Sequence, residues 1–440
     1  MQDLQIIYCP VAEITVNPRN ARTHSRRQIH QICDSIKTFG FTNPLLVDED
    51  GVLIAGHGRL DAAKLLGLER VPAIVLAHLS SPEKRALMLA DNKIALNTGW
   101  NLDLLAAEMA DLSAMTTGFD LEVTGFEVGE IDLLLDDTPM SDTEPELAPE
   151  PDLAAPVITK RGDLWHLGPH SVVCGDARSA RDVAFLMGDD RADCGFTDPP
   201  YNVPIAGHVS GKGEVRHREF AQASGEMTSC EFADFLSETL SLAAGYSRDG
   251  AVWFTCMDWR HMGEMIAAGT KAFDAQLNLC VWAKTNGGMG SLYRSQHELV
   301  FVWRKGRGRH RNNIRLGKFG RNRTNVWCYA GVNSFRDGRM DELRAHPTAK
   351  PVAMIKDALL DVTSRGDVVL DPFAGAGATL IAAERSGRSA RLLEIDPAYV
   401  DTMLRRWREE TGEDPIRAAD GAQLSGLEGD IGLQGGDHDG

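Results

Sequence analysis

Residues 367–395 constrain this chain more than any other stretch: an apolar strand (367–370), a glycine-rich turn (371–377), a helical stripe (378–386) and a second strand (390–395) that ends in acids. Strand, helix and strand in so few residues require a largely parallel sheet covered by helices. The alternation extends upstream. Residues 192–197 read as a short strand, 230–244 as a helix, and 251–256, 277–283 and 299–303 as strands. Residues 350–363 have helical spacing at Met354, Ile355, Ala358, Leu359 and Val362. The expected fold class is α/β, a Rossmann-like mixed and mostly parallel sheet.

A chain of 440 residues with 43% hydrophobic content is long enough for two or three cores. The boundary between them is compositional. From Asp136 to Asp152 there are seven acidic residues and no basic one, and residues 138–157 are rich in proline, alanine and acid without apolar periodicity, as in an extended linker. Ahead of it, residues 1–137 read as a small α/β domain. A helix follows a Ser25 cap with its stripe at Ile29, Ile32, Ile36 and Phe39; strands cover 44–47 and 52–55; the turn Gly56-His57-Gly58-Arg59 opens a helix through Leu66; a strand covers 71–76 and helices 82–96 and 102–112. Behind the linker, 158–412 hold the sheet, and 413–440 form an acidic flexible tail. Nine carboxylates from Glu409 onward face one arginine, Arg417.

The eight cysteines have no C-x-x-C spacing, so they read as reduced thiols and no metal site is expected. The amino terminus lacks a signal peptide and nowhere do 18 apolar residues run together, which predicts a soluble, cytoplasmic protein with no membrane partner.

Two constellations carry chemistry. The first is Asp371-Pro372-Phe373-Ala374-Gly375-Ala376-Gly377, whose glycines let the backbone turn tightly against a ligand. Glu394 lies 17 residues past Gly377 at the end of the next strand, placed for ribose hydroxyls. A dinucleotide fingerprint would have a third glycine where Leu380 stands, so a nucleoside cofactor without phosphate fits better. S-adenosylmethionine, whose sulfonium an acidic enclosure favours, is such a molecule. Taken by itself, a G-x-G is more often an ordinary strand-to-helix turn. The second constellation is Asp198-Pro199-Pro200-Tyr201-Asn202 at a strand tip, where open α/β sheets place ligand chemistry. Adjacent prolines fix φ and remove two backbone donors, leaving mainly acceptors, a polarity that suits an amino group. With the Asp198 carboxylate and the Pro199 carbonyl accepting its two hydrogens, an exocyclic nitrogen would aim its lone pair at a sulfonium methyl, and Tyr201 would stack on the ring. A rigid turn closing a strand is the plain alternative.

TDPPYN (197–202), HPTAKP (346–351) and LDPFAGAGATLIAAERSGRSARLLEID (370–396) together resemble the amino-directed DNA methyltransferases, in the box order of their beta group, over about residues 158–408. The resemblance implies an S-adenosylmethionine-dependent methyltransferase fold with Asp198, Pro199, Pro200 and Tyr201 catalytic. It implies cofactor contacts from Asp371, Phe373, Gly375, Gly377 and Glu394, from Lys350 and Pro351 at the start of the preceding helix, and from Asp176, for which an Asx turn is the alternative. N6 of adenine in duplex DNA is the implied target. The cytosine N4 amino group is the alternative, for which the family more often has S-P-P-Y.

The base must leave the duplex to reach such a pocket. Although the net charge is −17, Arg304, Lys305, Arg307, Arg309, Arg311, Arg315, Lys318, Arg321 and Arg323 form a run without a carboxylate, a basic patch for DNA. Target recognition is expected within 203–226 and 286–345. His297 and His346 read as structural or substrate-positioning, and Glu298 as a hydrogen-bonded anchor.

In the first domain, NPRNARTH (17–24) and IAGHGRLDAAKLLGLERVP (54–72) resemble the nucleotide-binding domain of ParB-type partition proteins over roughly residues 4–97. That implies a phosphate cradle at Gly56, Gly58 and Arg59 and cytidine triphosphate as a ligand; a domain that merely grips DNA is the alternative. No helix-turn-helix module is evident after it. A further reading of the whole chain is a non-catalytic, nucleotide-gated DNA-binding protein, against which the intact Asp198, Tyr201, Gly375, Gly377 and Glu394 argue. Duplex DNA is the expected partner and homodimer formation is left open. No cleavage domain is visible, so a standalone or phage-borne methylase is expected, with a partner restriction nuclease left open.

Overall fold

The computed structural model describes residues 4–95, 97–115, 118–135, 149, 151, 156–203, 223, 225–284, 287, 292–314, 323–330 and 350–435. The chain divides into two compact units, Met1–Asp137 and Thr138–Gly440.

The first unit contains β1 (Ile6–Pro10), α1 (Arg26–Phe39), β2 (Leu45–Val47), β3 (Leu53–Ala55), α2 (His57–Leu65), β4 (Arg70–Val75), α3 (Ser81–Ala95), α4 (Leu102–Ala114) and α5 (Val128–Leu135). Its sheet has the order β1-β4-β2-β3, and β2 and β4 are its parallel pair. α1 starts where the sequence predicts, with the Ser25 hydroxyl accepting from the Gln28 N–H at 3.1 Å. Leu45, Leu53, Leu60, Val71 and Ala73 form the core between sheet and helices.

The second unit contains β5 (Leu164–Leu167), β6 (His170–Cys174), α6 (Ala180–Met187), β7 (Ala192–Thr197), α7 (Ser229–Gly245), β8 (Ser247–Met257), α8 (Met262–Ala272), β9 (Ala275–Ala283), β10 (His297–Arg304), β11 (Val326–Cys328), α9 (Val352–Val362), β12 (Val368–Asp371), α10 (Ala378–Ser386), β13 (Ser389–Glu394), α11 (Pro397–Thr411), β14 (Ile416–Arg417) and α12 (Leu424–Gly435). Its sheet runs β11-β9-β10-β8-β7-β12-β13-β6-β5-β14. The central run from β8 to β6 is parallel throughout; the pairs outside it are antiparallel except for the parallel β9–β11 pair. Strand residues alternate between two cores. Phe196, Val252 and Phe254 pack with α9, α10 and α11, whereas Trp253, Phe301 and Trp303 pack with α7 and α8. The result is a sheet covered on both faces, as a mostly parallel sheet requires.

β12 and β13 lie between β6 and β7, although β6 and β7 are neighbours in sequence. The five parallel strands therefore end at one edge of the sheet. β10, antiparallel to β8, begins at that edge, and β9 ends there.

One expectation is corrected here. The chain beyond 412 is not a flexible tail through its described length: β14 pairs with β5, and Leu424 of α12 is fully buried in the main core. Acidic composition hid two leucines that reach apolar neighbours. The expected linker falls almost wholly outside the described residues. Among the described residues, no helix is long and apolar enough to cross a membrane.

Candidate functional site

At the shared edge, β7 gives way to Asp198-Pro199-Pro200-Tyr201. Asn202 follows at φ +53, a left-handed conformation that Asn tolerates better than most residues. Its side chain ties the turn down: Nδ2 donates to the Met227 carbonyl at 2.8 Å, and Oδ1 accepts from the N–H groups of Gly225 and Met227 at 3.1 and 3.2 Å. The Tyr201 hydroxyl reaches Asp198 Oδ1 at 2.8 Å and Glu298 Oε2 at 3.0 Å. Lys350, whose side chain is only 2% exposed, places Nζ 2.6 Å from Asp198 Oδ2 and 3.0 Å from Glu298 Oε2. Its ammonium also lies 5.3 Å from the Tyr201 ring and 5.9 Å from the Trp282 ring. The other Glu298 oxygen pairs with Lys284.

Two cations and two carboxylates therefore alternate in a chain from Lys284 through Glu298 and Lys350 to Asp198. Burial pushes the Asp198 carboxyl up, Lys350 opposes that push and Glu298 adds to it. Burial pushes Glu298 the same way, but Lys350 and Lys284 together outweigh it and hold that carboxyl at about 2. For Lys350, burial favours the neutral amine, yet the two carboxylates win and its ammonium is held well above the usual lysine range.

On the neighbouring strand, β12 ends in Asp371, which accepts the Phe373 N–H at 3.0 Å and the Thr379 hydroxyl at 2.6 Å. These bonds close the glycine turn onto α10. Gly377 sits at φ +81, and a Cβ there would lie 2.6 Å from Met403 Cγ on α11. Gly375 also has a positive φ, +51, but faces open space. Its N–H donates to Glu394 Oε2 at 2.9 Å, while the Asp396 N–H donates to Oε1 at 2.9 Å. Burial raises both Asp371 and Glu394 to about 7. The Phe373 ring packs 5.9 Å from that of Phe235, which lines a cleft of about 720 Å³ with Arg178, Met227 and Glu231. Asp176, just past β6, accepts the Arg178 N–H at 2.9 Å, the Asx geometry weighed from sequence.

The structure separates some residues the sequence reading had grouped. Lys350 was expected at the cofactor turn. It belongs instead to the Asp198 cluster, while Pro351 caps α9. Arg323 was expected in the basic patch, but its side chain is buried against α9, 2.7 Å from Asp357 and 2.9 Å from Asp361. Arg304 and Lys305 are half-buried and donate to the carbonyls of Gly306 and Ala272. Arg307, Arg309 and Arg311 are exposed. Arg315, Lys318, Arg321, His346, most of 203–226 and about half of 286–345 lie outside the described residues. In the first unit, Gly56 at φ +99 caps α2, and Arg59 folds back to donate to the Asn43 and Pro44 carbonyls at 2.7 and 3.0 Å. Gly58 lies in the first turn of the same helix, against Ile32 and His24. Glu298 is the hydrogen-bonded anchor foreseen. Asn202 was foreseen as part of the motif but not as the side chain that anchors the turn, and Lys284 was not foreseen, because it meets Glu298 only through the β9–β10 register, in which Glu298 faces Trp282.

Three family models match the sequence. One described as DNA methylase covers residues 192–405, one described as ParB N-terminal domain covers 1–93, and one described as ParB-methyltransferase HTH domain covers 103–161. The last overturns the expectation that no helix-turn-helix module follows the first domain: α4, expected from the sequence only as a single helix at 102–112, and the eight-residue α5 lie in the matched stretch. Among curated proteins, the ParB-like nuclease domain-containing protein YnaK of Escherichia coli K12 is 49% identical over 84 residues, 19% of this chain and 97% of that one. The DNA adenine methyltransferase YhdJ of the same organism is 43% identical over 82 residues, 19% of this chain. That match spans about a quarter of YhdJ, 26% of its length. Among solved structures, a putative DNA modification methylase from Thermus thermophilus, in complex with S-adenosyl-L-methionine, aligns over 55% of this chain and 94% of that one at 23% identity and a TM-score of 0.38. The cytosine-N4-specific PvuII DNA methyltransferase aligns over 54% of this chain and 86% of that one at 16% identity and a TM-score of 0.39.

Proposed function

We propose that this chain, which combines a ParB N-terminal domain with a DNA methylase domain matched over residues 192–405, transfers a methyl group from S-adenosylmethionine to the N6 amino group of adenine in duplex DNA. One observation carries this reading: Asp198-Pro199-Pro200-Tyr201 and the Asp371–Gly377 turn stand at the ends of two adjacent parallel strands, β7 and β12. The turn suits S-adenosylmethionine, because the space over Gly375 is open and its N–H is held by the Glu394 carboxylate at 2.9 Å. When bound, the cofactor supplies an electrophilic methyl group on a sulfonium.

The chain supplies the rest. Glu394 holds ribose hydroxyls, Asp176 borders the adenine end, and Phe373 packs beside the turn. A carboxylate has about four lone-pair sites, so Asp198 retains capacity for one hydrogen of the base after bonding Tyr201 and Lys350, and the Pro199 carbonyl accepts the other. Both acceptors leave the nitrogen lone pair directed away from the ring plane, and the rate gain comes from this positioning. Adenine is favoured because Asp198 stands where the family more often has serine for cytosine. Arg307, Arg309 and Arg311 contact DNA phosphates, and the α2 turn at Gly56, Gly58 and Arg59 holds the phosphates of a nucleotide such as cytidine triphosphate.

The test is transfer of labelled methyl from S-adenosylmethionine to mixed duplex DNA, followed by nucleoside analysis. We expect methyladenine from the wild type and a loss of about 10²–10³-fold in Asp198→Ala. Methylcytosine would move the target. Cofactor binding without label on any DNA would sink the enzyme reading and leave a nucleotide-gated DNA-binding protein.

A further inference from the structure

Resting on the methyltransferase reading, we propose that Lys284 is a positioning residue that, by pairing with Glu298, reserves the Lys350 ammonium for Asp198 and so keeps Asp198 an acceptor for the base amino group. Lys350 carries one positive charge yet touches two carboxylates, at 2.6 and 3.0 Å. In a buried cluster, one cation compensates two anions poorly, and the carboxyl with less support takes up a proton. Among the described residues, the groups facing Asp198 are Tyr201 from its own turn, the Cys256 thiol of β8, Glu298 of β10, Asp371 of β12 and Lys350 ahead of α9, and of these all but Lys350 are neutral or negative. The second cation, Lys284 at the end of β9, sits on the outer oxygen of Glu298 and gives each carboxylate a cation of its own.

Without Lys284, Glu298 draws on Lys350, and the proton falls on Asp198. A protonated Asp198 presents an O–H toward the amino hydrogens and transfer stops. If Glu298 is removed as well, Lys350 belongs to Asp198 alone. The two substitutions therefore act in opposite directions on one group, which a purely structural pair would not do.

The experiment is the pH profile of kcat/KM for methyl transfer, whose acid limb reports groups of the free enzyme. We expect Lys284→Met to move that limb upward by about one pH unit, a tenfold loss at a fixed pH on the limb. Lys284→Arg should stay at the wild-type position, and Lys284→Met/Glu298→Gln should return to it or fall below. An unmoved limb in Lys284→Met, or a double variant that stays with it, overturns the inference. Thermal unfolding of the ligand-free variants gives a readout independent of turnover. The folded Lys284→Met protein holds a proton that the unfolded chain releases, so its deficit in Tm against wild type is expected to narrow from about pH 8 to about pH 5.5. In the double variant it stays constant; the same narrowing there, or none in Lys284→Met, overturns the proposal. An inactive wild type would sink the methyltransferase reading, and these melts would still decide the charge balance.

Discussion

Glu394 accepts two main-chain N–H groups, and burial still raises its carboxyl to about 7. Hydrogen bonds favour the ionised form, but here desolvation is the larger effect. The raised value means that the folded protein binds a proton on Glu394 as the pH falls through about 7. An ionised carboxylate accepts from two ribose hydroxyls; a protonated one loses part of that capacity. We therefore expect S-adenosylmethionine affinity to weaken between about pH 8 and pH 6, and Glu394→Gln to bind more weakly at pH 8 with that dependence gone. Calorimetric titration would show it, and a flat wild-type profile would remove Glu394 from the cofactor site. At this scale, the sequence exposed the residues whose identity and spacing are themselves the signal: Asp198 between a strand and two prolines, and Glu394 at the next strand end. It could not expose Lys284 or reassign Lys350, because which carboxylate a lysine meets depends on strand register and on where α9 begins.

α9 presents Asp357 and Asp361 one turn apart to a single guanidinium, that of Arg323, which also donates to the Tyr329 hydroxyl at 2.8 Å. The pair fastens the end of β11 to the helix that leads into β12. Removing one partner of a buried pair leaves an uncompensated charge, so Arg323→Ala is expected to cost about 3 kcal/mol of stability. In chemical denaturation this would appear as a lower midpoint. The exposed Arg307, Arg309 and Arg311 should behave differently. Their alanine variants are expected to fold normally while lowering the slope of log K against log salt for DNA by about one each. An unchanged slope would take that loop off the DNA. Most elements were legible as apolar runs and stripes. β1 was not, because its exposed Ile6, Ile7 and Tyr8 follow no alternation. α12 was obscured by its acidic surroundings, although Leu424 and Leu427 reach the core.

The two units have separate buried clusters, one set around Leu45, Leu53 and Val71 and the other around the ten-stranded sheet. Independent cores melt independently, so two calorimetric transitions are expected. S-adenosylmethionine at about a hundred times its Kd should raise the stability of the second unit by about 2.7 kcal/mol and leave the first transition in place. Movement of both transitions together would mean that the units unfold as one. The division itself was readable from charge and proline content; the helix-turn-helix match across 103–161 was not, since α4 read as an isolated helix and α5, only eight residues long, was not read at all.

The insertion of β12 and β13 between β6 and β7 also has a consequence in time. As the chain leaves the ribosome, β6 and β7 emerge together but cannot close up, since the two strands that separate them are still 171 residues from Thr197. At about 5–20 residues per second, that is a wait on the order of 10–30 s, during which the middle of the sheet is open and its apolar faces are uncovered. The nascent protein is thus most in need of a chaperone between the emergence of β7 and that of β12, and the two halves of the site meet only once β12 has left the ribosome.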